Sequence, residues 1–321
     1  MLTRRDFNLL PLLGAALGTG ASAQAFPSRP IRFVAAFSPG SGTDGIARFM
    51  AQHMARSMNG QVLVDNKVGA GGMLAADFVA KSPPDGYNVL FISGAFFVLP
   101  FLGDKPPYDA FNDFAAVAIV AQSDLVIAVA PNSPFQNMRD IIAEAKKKPG
   151  SLTYSTSGSG TSTHMGGALL NSMASTTMRA VHYKVASQAS IDAAMGEVSF
   201  AMSGTGVSLP LIKSGRLRAI ATTGTHRSSV LPDVPTVAES GVADYELLTP
   251  TLAFARAGTP KAVLASLSKS ILVAAATPEY KAMCTTLALE AETADEVTLS
   301  AAMSKEFARW KTLAELAVKQ G

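Results

Sequence analysis

The chain has 321 residues, 48% hydrophobic and 16% charged, with 26 Gly, 18 Pro and a formal net charge of +3. That composition supports packed cores and excludes a disordered or fibrous chain. Lys and Arg are spread along the sequence, which also excludes a basic groove for nucleic acid, and the length suits about two domains.

At the N-terminus, Arg4-Arg5 precede an apolar stretch over residues 9–17, followed by the small residues Ala21-Ser22-Ala23-Gln24-Ala25. This charged, apolar, small-residue order predicts an export signal over residues 1–25, cleaved after Ala23 or Ala25 and directing the chain to the periplasm. The apolar stretch is shorter than the roughly 20 residues needed to span a bilayer. Thr3-Arg4-Arg5-Asp6-Phe7 resembles a twin-arginine signal, and an ordinary Sec signal with two arginines is the other reading. No cysteine lies in this region to carry a lipid, so a soluble mature protein is expected.

Beyond residue 25, short β-branched runs alternate with helical periodicity, the pattern of an α/β fold with mostly parallel sheets flanked by helices. Strands are predicted at 31–37, 61–65, 88–93, 125–130, 152–156, 179–183, 198–202, 217–222 and 252–256. Between the first two, Ile46, Phe49, Met50, His53, Met54 and Ser57 share one helical face that should pack on a sheet. Lys146-Lys147-Lys148 before Pro149-Gly150 reads as the solvated end of a helix. Thr236-Val237-Ala238-Glu239 and Thr293-Ala294-Asp295-Glu296 are capping boxes, and Thr259-Pro260 and Thr277-Pro278 place Pro at a first helical position. The single cysteine, Cys284, can form neither an internal disulfide nor a thiolate metal cluster, and is expected as a small buried hydrophobe in a helix.

Two segments carry chemistry: Phe37-Ser38-Pro39-Gly40-Ser41-Gly42-Thr43-Asp44 and Ser155-Thr156-Ser157-Gly158-Ser159-Gly160-Thr161-Ser162-Thr163-His164. Each follows a predicted strand and opens a predicted helix. Glycines let the backbone turn its amides outward, hydroxyls add neutral donors, and the helix N-terminus adds unpaired N–H groups, together an anion site without Arg or Lys. A tight turn with a capped helix is the plainer reading of either loop alone; one in each half of the chain favours a cleft with a donor loop on each wall.

Two other classes compete. Gly40-Ser41-Gly42-Thr43-Asp44-Gly45 matches G-x-G-x-x-G after a strand, with Asp65 ending the next strand, as in a nucleotide-binding oxidoreductase. Pro39, Asp44 where pyrophosphate would approach, and the export signal argue against it. An exported hydrolase would need a G-x-S-x-G elbow or paired metal ligands, and neither occurs. Of the four histidines, His53 is expected in the core, His226 in solvent, and His164 at the ligand as a hydrogen-bond donor. No metal or cofactor is expected.

As an ordered set the residues resemble the substrate-binding proteins of tripartite tricarboxylate transporters, the Bug family of periplasmic receptors. Pro39-Gly40-Ser41-Gly42-Thr43-Asp44 with Arg48 is similar to the family's first ligand loop. Asp65-Asn66-Lys67-Val68-Gly69-Ala70-Gly71-Gly72, Pro84-Asp85-Gly86-Tyr87, Gly158-Ser159-Gly160-Thr161, Tyr183-Lys184, Gly215-Arg216-Leu217-Arg218, Leu231-Pro232-Asp233-Val234-Pro235-Thr236 and Gly258-Thr259-Pro260 follow in the family's order. The resemblance implies a non-enzymatic, monomeric flytrap of two lobes, residues 26–123 plus 240–321 and residues 124–239. It would deliver a small carboxylate to membrane permease subunits. The implied ligand residues are Ser38, Gly40, Ser41, Gly42, Thr43 and Asp44 on one wall. Ser157, Gly158, Ser159, Gly160, Thr161 and His164 would form the other, with Ser203 and Gly204 as a third contributor. Three departures flank the implied cleft: Val185 where the family often has Gly, Ser199 where it has Asp, and Leu248-Thr249-Pro250-Thr251 where it usually carries Trp.

Overall fold

Nearly every side chain of Ile31–Ala35 is apolar and fully buried, Arg32 alone reaching solvent, as suits an interior strand, β1. A computed structural model describes residues 26–37, 39, 41–101 and 105–320; the predicted signal peptide, Ser38 and Gly40 lie outside the described residues. Beside β1 run β2 (Val62–Asn66), β3 (Asn88–Ser93), β4 (Phe114–Ser123) and β10 (Thr249–Arg256), in the order β2-β1-β3-β10-β4. A second sheet has the order β7-β6-β8-β5-β9, from β5 (Leu125–Val129), β6 (Thr153–Thr156), β7 (Arg179–His182), β8 (Phe200–Gly204) and β9 (Arg218–Thr222). All nine predicted strands form, with ends moved by three residues or fewer. The unpredicted one is β4, whose Ala-rich sequence lacks a clear period.

The sheets are mixed rather than mostly parallel. β1 is parallel to β2 and β3, and β6 to β7 and β8, while β10 and β5 run antiparallel to both of their neighbours. The reason is topological. The chain leaves β4 at Ser123 and starts β5 at Leu125, entering the second sheet at the end where its parallel strands finish, so β5 must run against them. β10 re-enters the first sheet in the same way.

That register also locates the gap between the sheets. Thr249 pairs with Ser123 and Thr251 with Ser93, so β3, β4 and, through β3, β1 end at the crossover. Leu125 pairs with Gly204 and Val126 with Thr222, so β8, β9 and, through β8, β6 end there too. The loops after β1 and β6 therefore open onto one gap, and β1–β2 and β6–β7 are topological equivalents.

Helices cover both sheets. In α1 (Gly42–Ser57), Ile46, Met50 and Met54 are fully buried. His53 stacks on Phe49 at 4.2 Å with Nδ1 on the Phe49 carbonyl (3.2 Å), and Ser57 is exposed, off the expected face. The helix α3 (Met138–Lys147) ends in the lysine run as expected, and Cys284 is buried in α8 (Pro278–Thr286), capped by Thr277 with Pro278 first. The Thr236–Glu239 box makes both hydrogen bonds (3.1 and 2.8 Å) but closes a turn, not a helix. The Thr293 box does not form: α9 (Glu296–Gln320) is instead started by Asp295, which accepts from the Thr298 amide (2.8 Å). Pro260 precedes rather than begins α7 (Lys261–Ala275).

Candidate ligand site between the sheets

The first loop is built around Ser41, whose hydroxyl accepts from the Asp44 amide (3.2 Å) and caps α1. Asp44 is buried beneath this loop. Its carboxylate accepts from Arg48 Nε (2.9 Å) and Asn66 Nδ2 (2.8 Å), and Asn66 also donates to the Phe37 carbonyl (3.0 Å). An anion in the first helical turn suits the macrodipole, and here the carboxylate fastens the loop to β2. The amides of Gly42 and Thr43, the first two of α1, carry no hydrogen bond among the described residues, and neither does the half-buried Thr43 hydroxyl.

The second loop consumes most of its own donors. Gly158 (φ 126°) and Gly160 (φ 76°) take backbone conformations that favour glycine. The Ser157 amide donates to Thr163 Oγ1 (2.9 Å), the Gly158 amide to Thr156 Oγ1 (3.2 Å) and the Gly160 amide to His164 Nδ1 (3.2 Å). Thr161 caps α4 (Ser162–Ala174), and its hydroxyl donates to the Gly158 carbonyl (2.7 Å). The amides left without a partner among the described residues are those of Ser159, Ser162 and Thr163. The hydroxyls of Ser159 and Ser162 and Nε2 of His164 are likewise free.

His164 is 6% exposed and its ring meets that of His182 edge-on at 4.6 Å, while His182 Nδ1 lies 2.7 Å from Thr156 Oγ1. Because Nδ1 accepts the Gly160 amide, the neutral ring carries its proton on Nε2. Burial, with a smaller contribution from His182, lowers the His164 pKa to about 4, and burial lowers that of His182 too. Both rings are neutral at neutral pH.

At the third position, Ser203 is buried with its hydroxyl 3.1 Å from that of Ser190, packed into the second sheet, while Gly204 sits half-buried at the gap end of β8. Next to it begins α6 (Thr205–Lys213), where Thr205 donates to the buried carboxylate of Asp124 (2.6 Å) at the crossover itself. Burial raises the Asp124 pKa, opposed by hydrogen bonds from Thr205 and Ser228.

The structure thus brings one helix N-terminus from each half of the chain to the same gap. The nominated Asp44, Ser157 amide and Ser203 hydroxyl are occupied by protein partners. Sequence reasoning passed over Ser162, Thr163, His182 and Asn66. The first two were legible as the positions after a capping Thr161; the pairing of His182 with His164 joins separate strands and left no local signal.

Two mixed α/β sheets joined at strand ends define a two-lobed periplasmic binding protein. Solved structures agree: R. palustris Rpa4515 with adipate superposes with a TM-score of 0.80 at 28% identity, and the periplasmic binding protein BugD with 0.77 at 29%, each comparison covering 91% of this chain and 98% of the other. Residues 46–317 match the family model described as the tripartite tricarboxylate transporter family receptor, and the chain belongs to that family. It is 34% identical over 290 residues to the UPF0065 protein in the tcbD-tcbE intergenic region of Pseudomonas sp. strain P51, covering 90% of this chain and 86% of that one. It is 30% identical to Protein BugT of Bordetella pertussis, with 82% and 83% covered. The chain is a solute receptor of the periplasmic type and not an enzyme. Among the described residues no helix is long and apolar enough to cross a membrane.

Proposed function

We propose that the mature protein, exported and cleaved after Ala23 or Ala25, binds a small carboxylate between the two sheets as a monomer and delivers it to membrane permease subunits. The observation that carries this reading is the pair of helix N-termini at the gap. Gly42 and Thr43 on α1, and Ser162 and Thr163 on α4, offer free amides where the helix dipoles favour an anion. No Lys or Arg lies between Phe37 and Gly45 or between Ser155 and Gly166, so the ligand is held by amides, hydroxyls and the Nε2–H of a neutral His164. Ser38, Gly40 and Gly204 complete the proposed walls. Adipate in a receptor 28% identical to this chain supports the ligand class.

The proposed lobes are discontinuous in sequence, residues 26–123 plus 240–321 and residues 124–239. The Tyr245 hydroxyl donates to the Gly166 carbonyl (2.9 Å) and the Leu247 amide to the Thr223 carbonyl (2.8 Å), which supports a return crossover near 248 over one at 240. A thermal-shift screen of mono- and dicarboxylates beside their amides and esters tests the ligand class. A ligand bound only by the native state raises the melting temperature, and the acids should do so where their esters do not.

A further inference from the structure

Gly206, in the first turn of α6, faces a part of the chain that belongs to the other sheet. A Cβ built there would lie 2.6 Å from the carbonyl oxygen of Leu287 and 3.5 Å from its carbonyl carbon. Real side chains do not tolerate such an approach, and backbone atoms cannot swing aside as a flexible side chain would. Leu287 ends α8, so its carbonyl is among those a helix leaves unpaired, set over the positive first turn of α6. The same residue points its side chain the other way. Its Cδ1 would be 3.2 Å from a Cβ on Gly45 of α1, and Leu289 packs on Gly42.

The segment after Leu287 is held to both sheets. Glu290 exchanges two backbone hydrogen bonds with Gln122 of β4 (2.8 and 3.0 Å), and its carboxylate accepts from the amide and hydroxyl of Ser229 (3.1 and 2.8 Å), which follows β9. Ala288 is buried among Val126, Ala128 and Ala201 of the second sheet and adopts φ 53°, a left-handed conformation that favours glycine. A strained non-glycine residue persists only where its surroundings fix it, and these surroundings come from both halves of the molecule.

We propose that Gly206 is a positioning residue for the interlobe arrangement: the missing side chain lets the N-terminus of α6 seat on the Leu287 carbonyl, and residues 287–290 form the clasp that holds the two sheets at this separation. The claim rests on the two-sheet geometry alone and stands or falls independently of which solute is bound. Gly206→Ala places a methyl in the seat while improving helix propensity, so the fold of each half is kept and the seat is lost.

The test is an interlobe distance measurement by double electron–electron resonance, with labels at Val273→Cys on α7 and Met195→Cys at the end of α5 (Ala186–Met195), both exposed, Cys284 being buried. With Gly206 the distance distribution should be dominated by the compact arrangement. Gly206→Ala should shift it to longer distances without lowering the melting temperature, and Ala288→Gly in the same chain should recover the short distance by letting the clasp move away. Ala288→Gly alone should broaden the distribution, which keeps the proposal open to test if Gly206→Ala folds poorly. Distributions unchanged by Gly206→Ala, or by Ala288→Gly where the first variant cannot be prepared, would overturn it.

Discussion

The amide of Gly160 donates to Nδ1 of His164 at 3.2 Å, and that bond fixes the tautomer of the neutral ring and leaves Nε2–H as its donor. Protonating His164 would break it and place a charge in a buried site beside His182. The folded chain therefore takes up this proton only near pH 4, whereas the unfolded chain takes it near 6.5. Between those values the unfolded state holds more protons, so stability falls as the pH falls from 6.5 toward 4 and is flat above. His164→Gln should flatten that slope, by up to about 3 kcal/mol across the window. Melting curves from pH 7.5 to 4.5 check this; a slope unaltered by the substitution would show that His164 is not the buried neutral group described.

Asp124 has the opposite sign. Its folded pKa is raised by burial, so the stabilising protonated form is present below the usual carboxylate range and lost as the pH rises through the folded value. At neutral pH the buried charge is a cost, at about 1.4 kcal/mol for each pKa unit of displacement. Asp124→Asn keeps an acceptor for Thr205 and should raise the melting temperature at pH 7.5, with the gain disappearing below pH 4.

Thr43 and Thr161 occupy corresponding places in the two loops but should respond differently. The Thr161 hydroxyl caps α4 and bonds Gly158, so Thr161→Val should cost roughly 1–2 kcal/mol of stability. Thr43 lies one residue inside α1, behind the capping Ser41, with its hydroxyl unengaged among the described residues. Thr43→Val should leave the folding stability within about 0.5 kcal/mol of the parent and weaken carboxylate binding by roughly 1–3 kcal/mol. Paired melts and titrations separate the two; equal loss of stability in both variants would contradict the assignment.

Local sequence carried every strand but β4, because β-branched runs bounded by turn residues have one compact solution, and it placed both Gly/Ser/Thr loops between a strand and a helix. It did not carry strand direction: β5 and β10 run backward only because each enters its sheet from the gap, a relation among distant segments. Nor could it tell which donors stay free. Ser157 and Gly158 look like ligand donors in the sequence, and only the folded loop shows their amides spent on Thr163 and Thr156. Asp44 reads as a ligand residue until Arg48 and Asn66 are seen on its carboxylate.

The central claim, that free helix amides at the gap hold a carboxylate without a cationic side chain, is tested most directly by calorimetric titration of the mature protein. The probes are adipate and a series of shorter and longer dicarboxylates, each beside its dimethyl ester. Saturable one-to-one binding of at least one acid, weak sensitivity to salt and no binding of the matching ester is the predicted result. Ester and acid binding equally, or binding of uncharged solutes with no response to any carboxylate, would contradict it.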